Sequence, residues 1–219
     1  MPGSTSKSIK KRRWKRRKDA RPGEILDAAL ALFVEHGFTA TKLDDVAHKA
    51  GVSKGTLYLY FKSKEALFRA MVQEMVLPEI ERVEQQVGRY RGSAQDLVRK
   101  LVHQWWSMVG ETRLSGIPKL LVSESANFPE LAKFFVNQVI RRGRRIFIRV
   151  LQQGIARGEF RECDVNHAAR VLIAPLVFAA IWQHSLYPFD KDPYDVHVFL
   201  DVHLDMFLKG LLAESGQRR

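Results

Sequence analysis

The chain has 219 residues and a formal net charge of +12. That length allows a buried core, and the positive balance points away from acidic, solvating proteins and toward a polyanionic partner. The single cysteine, Cys163, excludes an internal disulfide and suits a reducing compartment.

The first 20 residues hold Lys7, Lys10, Lys11, Arg12, Arg13, Lys15, Arg16, Arg17 and Lys18 against one acid, Asp19. Two-thirds of the net charge therefore sits in an arm over 1–20 with almost no apolar content. Such a segment is expected to be disordered and to suit nucleic acid, the alternatives being a solvated tail that aids solubility or a patch for an anionic membrane. No apolar stretch follows the basic start as it would in a secretory signal. The longest apolar run, Val171 to Trp182, has twelve residues, short of the roughly 20 that span a bilayer. The expectation is a cytoplasmic protein with no membrane partner.

A first helix is predicted over about 23–36, with Ile25, Ala28, Ala29, Leu32 and Phe33 at helical spacing and Gly37 as its stop. Thr41 with Asp44 reads as a capping box opening a helix over about 42–50. Gly51 supplies a tight turn, and Ser53 caps a third helix over about 54–61. Ser63 caps a fourth, continuing to about Gln86 with a kink at Pro78. Ala47 is small enough to let the second and third helices cross, with Val46, Ala50, Val52, Leu57 and Phe61 spaced for burial.

Two short helices about a glycine turn make a helix-turn-helix, whose second helix enters the DNA major groove. Its outward face carries Lys54, Gly55, Thr56, Tyr58, Leu59 and Tyr60. Hydroxyls and backbone N–H groups at a helix start bind phosphate oxygens, and a glycine permits close approach. Thr41 and Lys64 are placed to hold flanking phosphates, and Leu59 to touch a thymine methyl. The alternative for these positions is an ordinary helical surface on which Tyr58 and Tyr60 simply pack.

Beyond Gly92 the pattern stays helical. Ser93 with Asp96 and Asn127 with Glu130 read as capping boxes, the second opening a long helix to about Arg157 before Gly158. Asp164 caps a helix to about Tyr187, and Pro193 opens the last, to about Ala213. No run alternates like a strand. The fold class is all-α, about nine helices, divided into a basic arm (1–20), a three-helix DNA-binding domain (21–68) and a larger ligand-binding and dimerisation domain (69–219).

The stretch Gly37-Phe38, Thr41, Asp44-Asp45-Val46-Ala47 and AGVSKGTLYLYFKSKEALF (50–68) resembles the TetR family of bacterial transcriptional regulators. The resemblance covers about 23–71. It implies a homodimer whose small domains bind successive major grooves of a palindromic operator in double-stranded DNA, and a C-terminal domain that releases DNA on binding a small molecule. Carried over by position, the DNA contacts are Thr41, Ser53, Lys54, Gly55, Thr56, Tyr58, Leu59, Tyr60 and Lys64. Leu59 and Tyr60 stand where members often have Tyr and His, so base preference is not carried over. The arm, with Lys10, Lys11, Arg12 and Arg13, is longer and more basic than the family needs and is expected to enter the minor groove or track phosphates.

The run 171–182 is apolar all round, so it must be buried on more than one side. With Val198, Val202, Met206 and Phe207 of the last helix, it predicts a four-helix dimer interface built from 165–187 and 193–213 of each chain. A monomer with both helices in one core is the alternative. His103, Trp105, Trp106, Met108, Leu121, Phe134, Phe135, Phe178 and Trp182 are candidate lining for an apolar or aromatic ligand. The plainer reading makes most of them core.

Arg141, Arg145 and Arg149 share a helix face that is more simply solvated than anion-binding. His197, Asp201 and Asp205 fall at i, i+4, i+8, a spacing that a polar helix edge explains without a metal. No phosphate loop, nucleophile elbow or Cys/His metal spacing suggests an enzyme, and no cofactor or metal is expected. Two functions compete: a ligand-released repressor, and a constitutive, weakly specific architectural DNA-binding protein driven by the basic arm.

Overall fold

The computed structural model describes residues 22–192 and 194–213. The expected role of the arm, with Lys10, Lys11, Arg12 and Arg13, lies outside the described residues, as does the start expected at Pro193. The chain divides after Val72 into two compact units.

The first unit holds α1 (22–36), α2 (Leu43–Lys49), α3 (Lys54–Tyr60) and α4 (Lys64–Met71). Gly37 (φ 85°) and Gly51 (φ 65°) make the stops after α1 and α2 in the left-handed region, where a side chain would be strained. Ser53 and Ser63 cap α3 and α4, their hydroxyls accepting from the N–H groups of Thr56 and Ala66. The core is an aromatic cluster. Phe33 and Phe38 lie 4.9 Å apart, and Phe68 meets Phe38 edge-on at 6.1 Å. Leu57, Val46, Ala47 and Leu67 are buried around them.

Thr41 departs from expectation. The residue before α2 is Lys42, with no side-chain cap, so the capping box does not form. Thr41 is 2% exposed, and its hydroxyl donates toward Gly37 O (2.7 Å) and Leu32 O (3.2 Å). The hydroxyl ties α2's entry to the end of α1.

A π-helical turn, Val72–Val76, separates α4 from α5 (Leu77–Arg89). Pro78 stands in the first turn of α5, where its missing N–H costs least. The expected kink is therefore a break placed before the proline. The second unit continues with α6 (Ala94–Trp105), a π-helical turn (Trp106–Gly110), a 3₁₀ turn (Arg113–Ser115), α7 (Gly116–Glu124) and α8 (Pro129–Phe135). A third π-helical turn, Val136–Ile140, leads into α9 (Arg141–Ala156), followed by α10 (Val165–Gln183) and α11 (Val196–Leu211). Reading α8–α9 through its π-helical turn, the described residues hold four helices in the first unit and six rods in the second, with no strand longer than one isolated bridge.

Ser93 caps α6 as expected, accepting from Asp96 N–H. Asn127 does not cap α8: Phe128 precedes Pro129 there, and the Asn127 amide donates to Glu124. α10 stops at Gln183, short of the expected Tyr187, and α11 starts after Asp195, whose carboxylate accepts from His197 N–H. Gly154 lets α9 close on its neighbours, since a Cβ there would stand 2.2 Å from Phe160 and 2.9 Å from Ala94. Arg142 joins α9 to α5 through Glu84 (2.8 Å), and His203 meets Leu172 O (2.9 Å) between α11 and α10.

By length and hydropathy alone α10 is enough to cross a membrane, which the twelve-residue apolar run did not indicate. It also packs on α7, α9 and α11.

Asp164 caps α10 through Asn166 and His167 N–H and pairs with the His167 ring at 2.8 Å. These bonds hold its carboxyl below the usual range. A depressed carboxyl contributes stability above its unfolded pKa, lost as pH falls through the folded value. Asp164→Ala is thus expected to lower the melting temperature at pH 7, with the deficit shrinking in acid. An equal deficit at both pH values would remove Asp164 from that role.

Candidate nucleic-acid interface

α3 buries one residue, Leu57, and turns the rest of its surface outward. Leu59 is 73% exposed, an unusual position for a leucine, and Tyr58 and Tyr60 are also exposed. Lys54 donates to Asp44 at 2.9 Å, and this bond with Asp44's charge raises the ammonium above its ordinary pKa. Ser53 Oγ lies 2.8 Å from Thr56 Oγ1, so the two hydroxyls cluster at the start of α3. Gly55 has no fold requirement: a Cβ there would meet only Ser53 Oγ at 3.9 Å.

Six expected contacts, Ser53, Lys54, Gly55, Tyr58, Leu59 and Tyr60, are exposed together on or beside α3, and Thr56 is half-buried among them. Thr41 is not, for the reason given above. Lys64 is partly committed to the fold: its ammonium donates to Phe38 O (2.8 Å) and Thr39 O (2.9 Å) and sits 5.0 Å over the Phe38 ring. Two of its three N–H groups are thus taken by the loop. Lys64→Ala is expected to lower the salt slope of DNA binding by about 1. A weaker complex with an unchanged slope would confine Lys64 to the loop.

The expected ligand lining is scattered in the second unit. Trp106 and Trp182 line one recess of about 270 Å³. His103 instead pairs with Asp201 at 3.0 Å, and Phe178, 56% exposed, packs on Trp182 at 5.7 Å. Phe135 is buried, Trp105 lies against Trp106, and Met108, Leu121 and Phe134 are half-buried outside the recess. Sequence reasoning missed Glu111, Tyr187 and Tyr194 and read His197 as part of a polar helix edge; all four line the recess. His197 and Asp201 have protein partners in Glu111 (3.3 Å) and His103, and Asp205 pairs with Lys209 (2.8 Å).

An exposed, hydroxyl-rich helix behind a left-handed glycine turn, in an all-α chain, defines a helix-turn-helix DNA-binding protein. Comparison with known proteins names the kind. The family description "Bacterial regulatory proteins, tetR family" matches residues 25–71, and "Tetracyclin repressor-like, C-terminal domain" matches 91–198. The chain belongs to the TetR family and is a DNA-binding transcriptional regulator.

Among its relatives is the fatty acid metabolism regulator protein of Bacillus subtilis, 25% identical over 86% of this chain and 94% of that one. The transcriptional repressor KstR2 of Mycolicibacterium smegmatis is 28% identical over 70% of this chain and 74% of its own. The structure of FadR from Bacillus subtilis in complex with stearoyl-CoA aligns with a TM-score of 0.68 at 25% identity, over 85% of this chain and 97% of that one. FadR from Bacillus halodurans aligns with a TM-score of 0.72 at 24% identity, over 86% and 98%, and shares the fold.

Proposed function

We propose that the protein is a homodimeric repressor that leaves a palindromic operator when its helical unit binds an acyl thioester. The observation that carries the DNA half is the bare outward face of α3, where Gly55 and Leu59 serve no packing need beside the exposed Ser53–Thr56 hydroxyl pair. Ser53, Lys54, Gly55, Thr56, Tyr58, Leu59, Tyr60 and Lys64 form the contact set, with Thr41 acting through the loop it holds.

The dimer reading rests on a second bare face. Val171 and Phe178 of α10 and Val198, Val202 and Met206 of α11 are all exposed, Met206 at 71%. Apolar groups at this density on one helix pair mark a protein contact, and a second copy supplies the matching face by two-fold symmetry. This occupant also explains a helix as apolar as α10. Met206→Glu is expected to raise the dimer dissociation constant at least a hundredfold, and an unchanged sedimentation coefficient at micromolar concentration would sink this interface.

The thioester assignment takes its support from the Bacillus subtilis relative solved with stearoyl-CoA. It fits the expectation of an apolar ligand. Linkage requires effector and DNA to weaken each other by the same factor. Titrating stearoyl-CoA into a protein–operator complex is expected to release the DNA. Equal DNA affinity with and without bound stearoyl-CoA would contradict the thioester reading, while leaving DNA binding itself intact.

A further inference from the structure

The recess in the second unit has a chemistry of its own. It forms where the π-helical turn Trp106–Gly110 meets the last turn of α10 and the start of α11. Such turns recur at functional sites. Here Gly110 lets the Trp106 indole lie flat on the backbone, since a Cβ would stand 2.4–2.6 Å from the ring. Trp182, Tyr187 and Tyr194 line the recess over the buried Trp106, which is 2% exposed. Burial raises the Tyr194 phenol's pKa, which keeps that ring neutral.

The one carboxylate among the described lining residues, Glu111, stands 3.3 Å from His197, and no Lys or Arg is among them. Aromatic faces carry negative potential and hold cations with little hydration cost, most effectively when a carboxylate completes the site. A phosphate or carboxylate ligand finds only His197 there, and that imidazole already faces Glu111. The volume, about 270 Å³, lies just under the roughly 300–1,000 Å³ of ordinary small-molecule sites, so it suits a compact ligand. That is too little for a long acyl chain with its carrier.

We infer that this recess is a binding site for a compact organic cation, a quaternary or aromatic ammonium seated on Trp182, Tyr187 and Tyr194 over Trp106, with Glu111 as counter-ion. The site is separate from the thioester reading and does not depend on it. His197 competes with the cation for Glu111, so it tunes affinity rather than holding the ligand.

Calorimetry on the full-length protein without DNA tests this, with benzyltrimethylammonium as probe, neopentylbenzene as its uncharged carbon isostere and phenylacetate as an anion of similar size. The cation is expected to bind at least tenfold tighter than either and to quench tryptophan emission. Glu111→Gln, an exposed near-isosteric change, is expected to weaken the cation about tenfold and leave the isostere unmoved. His197→Ala is expected to tighten the cation severalfold, a gain that structural damage does not produce. Preference for the isostere or the anion, no binding at millimolar cation, or Glu111→Gln affecting all three probes alike would overturn the proposal. Each readout is independent of DNA release, so failure here leaves the thioester test standing.

Discussion

Gly55→Ala is expected to make the protein more stable and a worse DNA binder. Glycine inside a helix costs about 0.5–1 kcal/mol relative to alanine, through lost backbone entropy. At position 55 nothing in the fold opposes the change, because the added methyl meets only Ser53 Oγ at 3.9 Å. The first unit should therefore melt later. In the proposed contact set the same methyl would stand between phosphate and backbone N–H, and operator affinity is expected to fall tenfold or more. The opposite signs separate the two roles. If Gly55→Ala binds operator like the parent, the chain at this point does not come close to DNA, and the contact set shifts toward Leu59 and Tyr60.

Phe68→Ala should abolish DNA binding without touching the recognition face. Phe68 is fully buried and closes the cluster with Phe33 and Phe38. Truncating a buried phenylalanine costs about 3–5 kcal/mol. At about 0.05–0.15 kcal/mol per residue, a unit of some fifty residues has little more than that in total. The change should leave residues 22–72 largely unfolded at 37 °C, seen as loss of amide protection across α1–α4. Protection equal to the parent would mean that the aromatic cluster is not what holds the unit. Phe68→Leu, which keeps most of the volume, should retain both protection and binding.

The helix-turn-helix was legible because its signals are local. Ser53 and Ser63 cap within three residues, and Gly37 and Gly51 occupy the positive φ their turns demand. A leucine at 59 left out of the buried pattern could be read as outward from spacing alone. Thr41 could not. Its hydroxyl looks like a cap in sequence but is satisfied by Gly37 and Leu32 carbonyls, a contact set by how α1 closes on the loop. Lys64 is similar: a phosphate-binding charge by position, yet two of its three N–H groups hold the loop at Phe38 and Thr39.

Pro78 marked the break at the first π-helical turn, but Trp106–Gly110, which sets Trp106 against Gly110, carries no proline and left no mark. The recess followed from that. Trp106 and Trp182 were readable as aromatic candidates, but Glu111 and the stretch holding Tyr187, Tyr194 and His197 lie more than seventy residues apart. Only the packing of α6, α10 and α11 brings them together.

The most direct test is selection of bound fragments from the source genome at about 0.2 M salt, where phosphate-only binding is suppressed. A dimeric reader of two major grooves should enrich a palindrome with half-sites about one helical turn, roughly 34–36 Å, apart. Binding at low salt with no enriched sequence would contradict a sequence-specific repressor and favour a weakly specific architectural role.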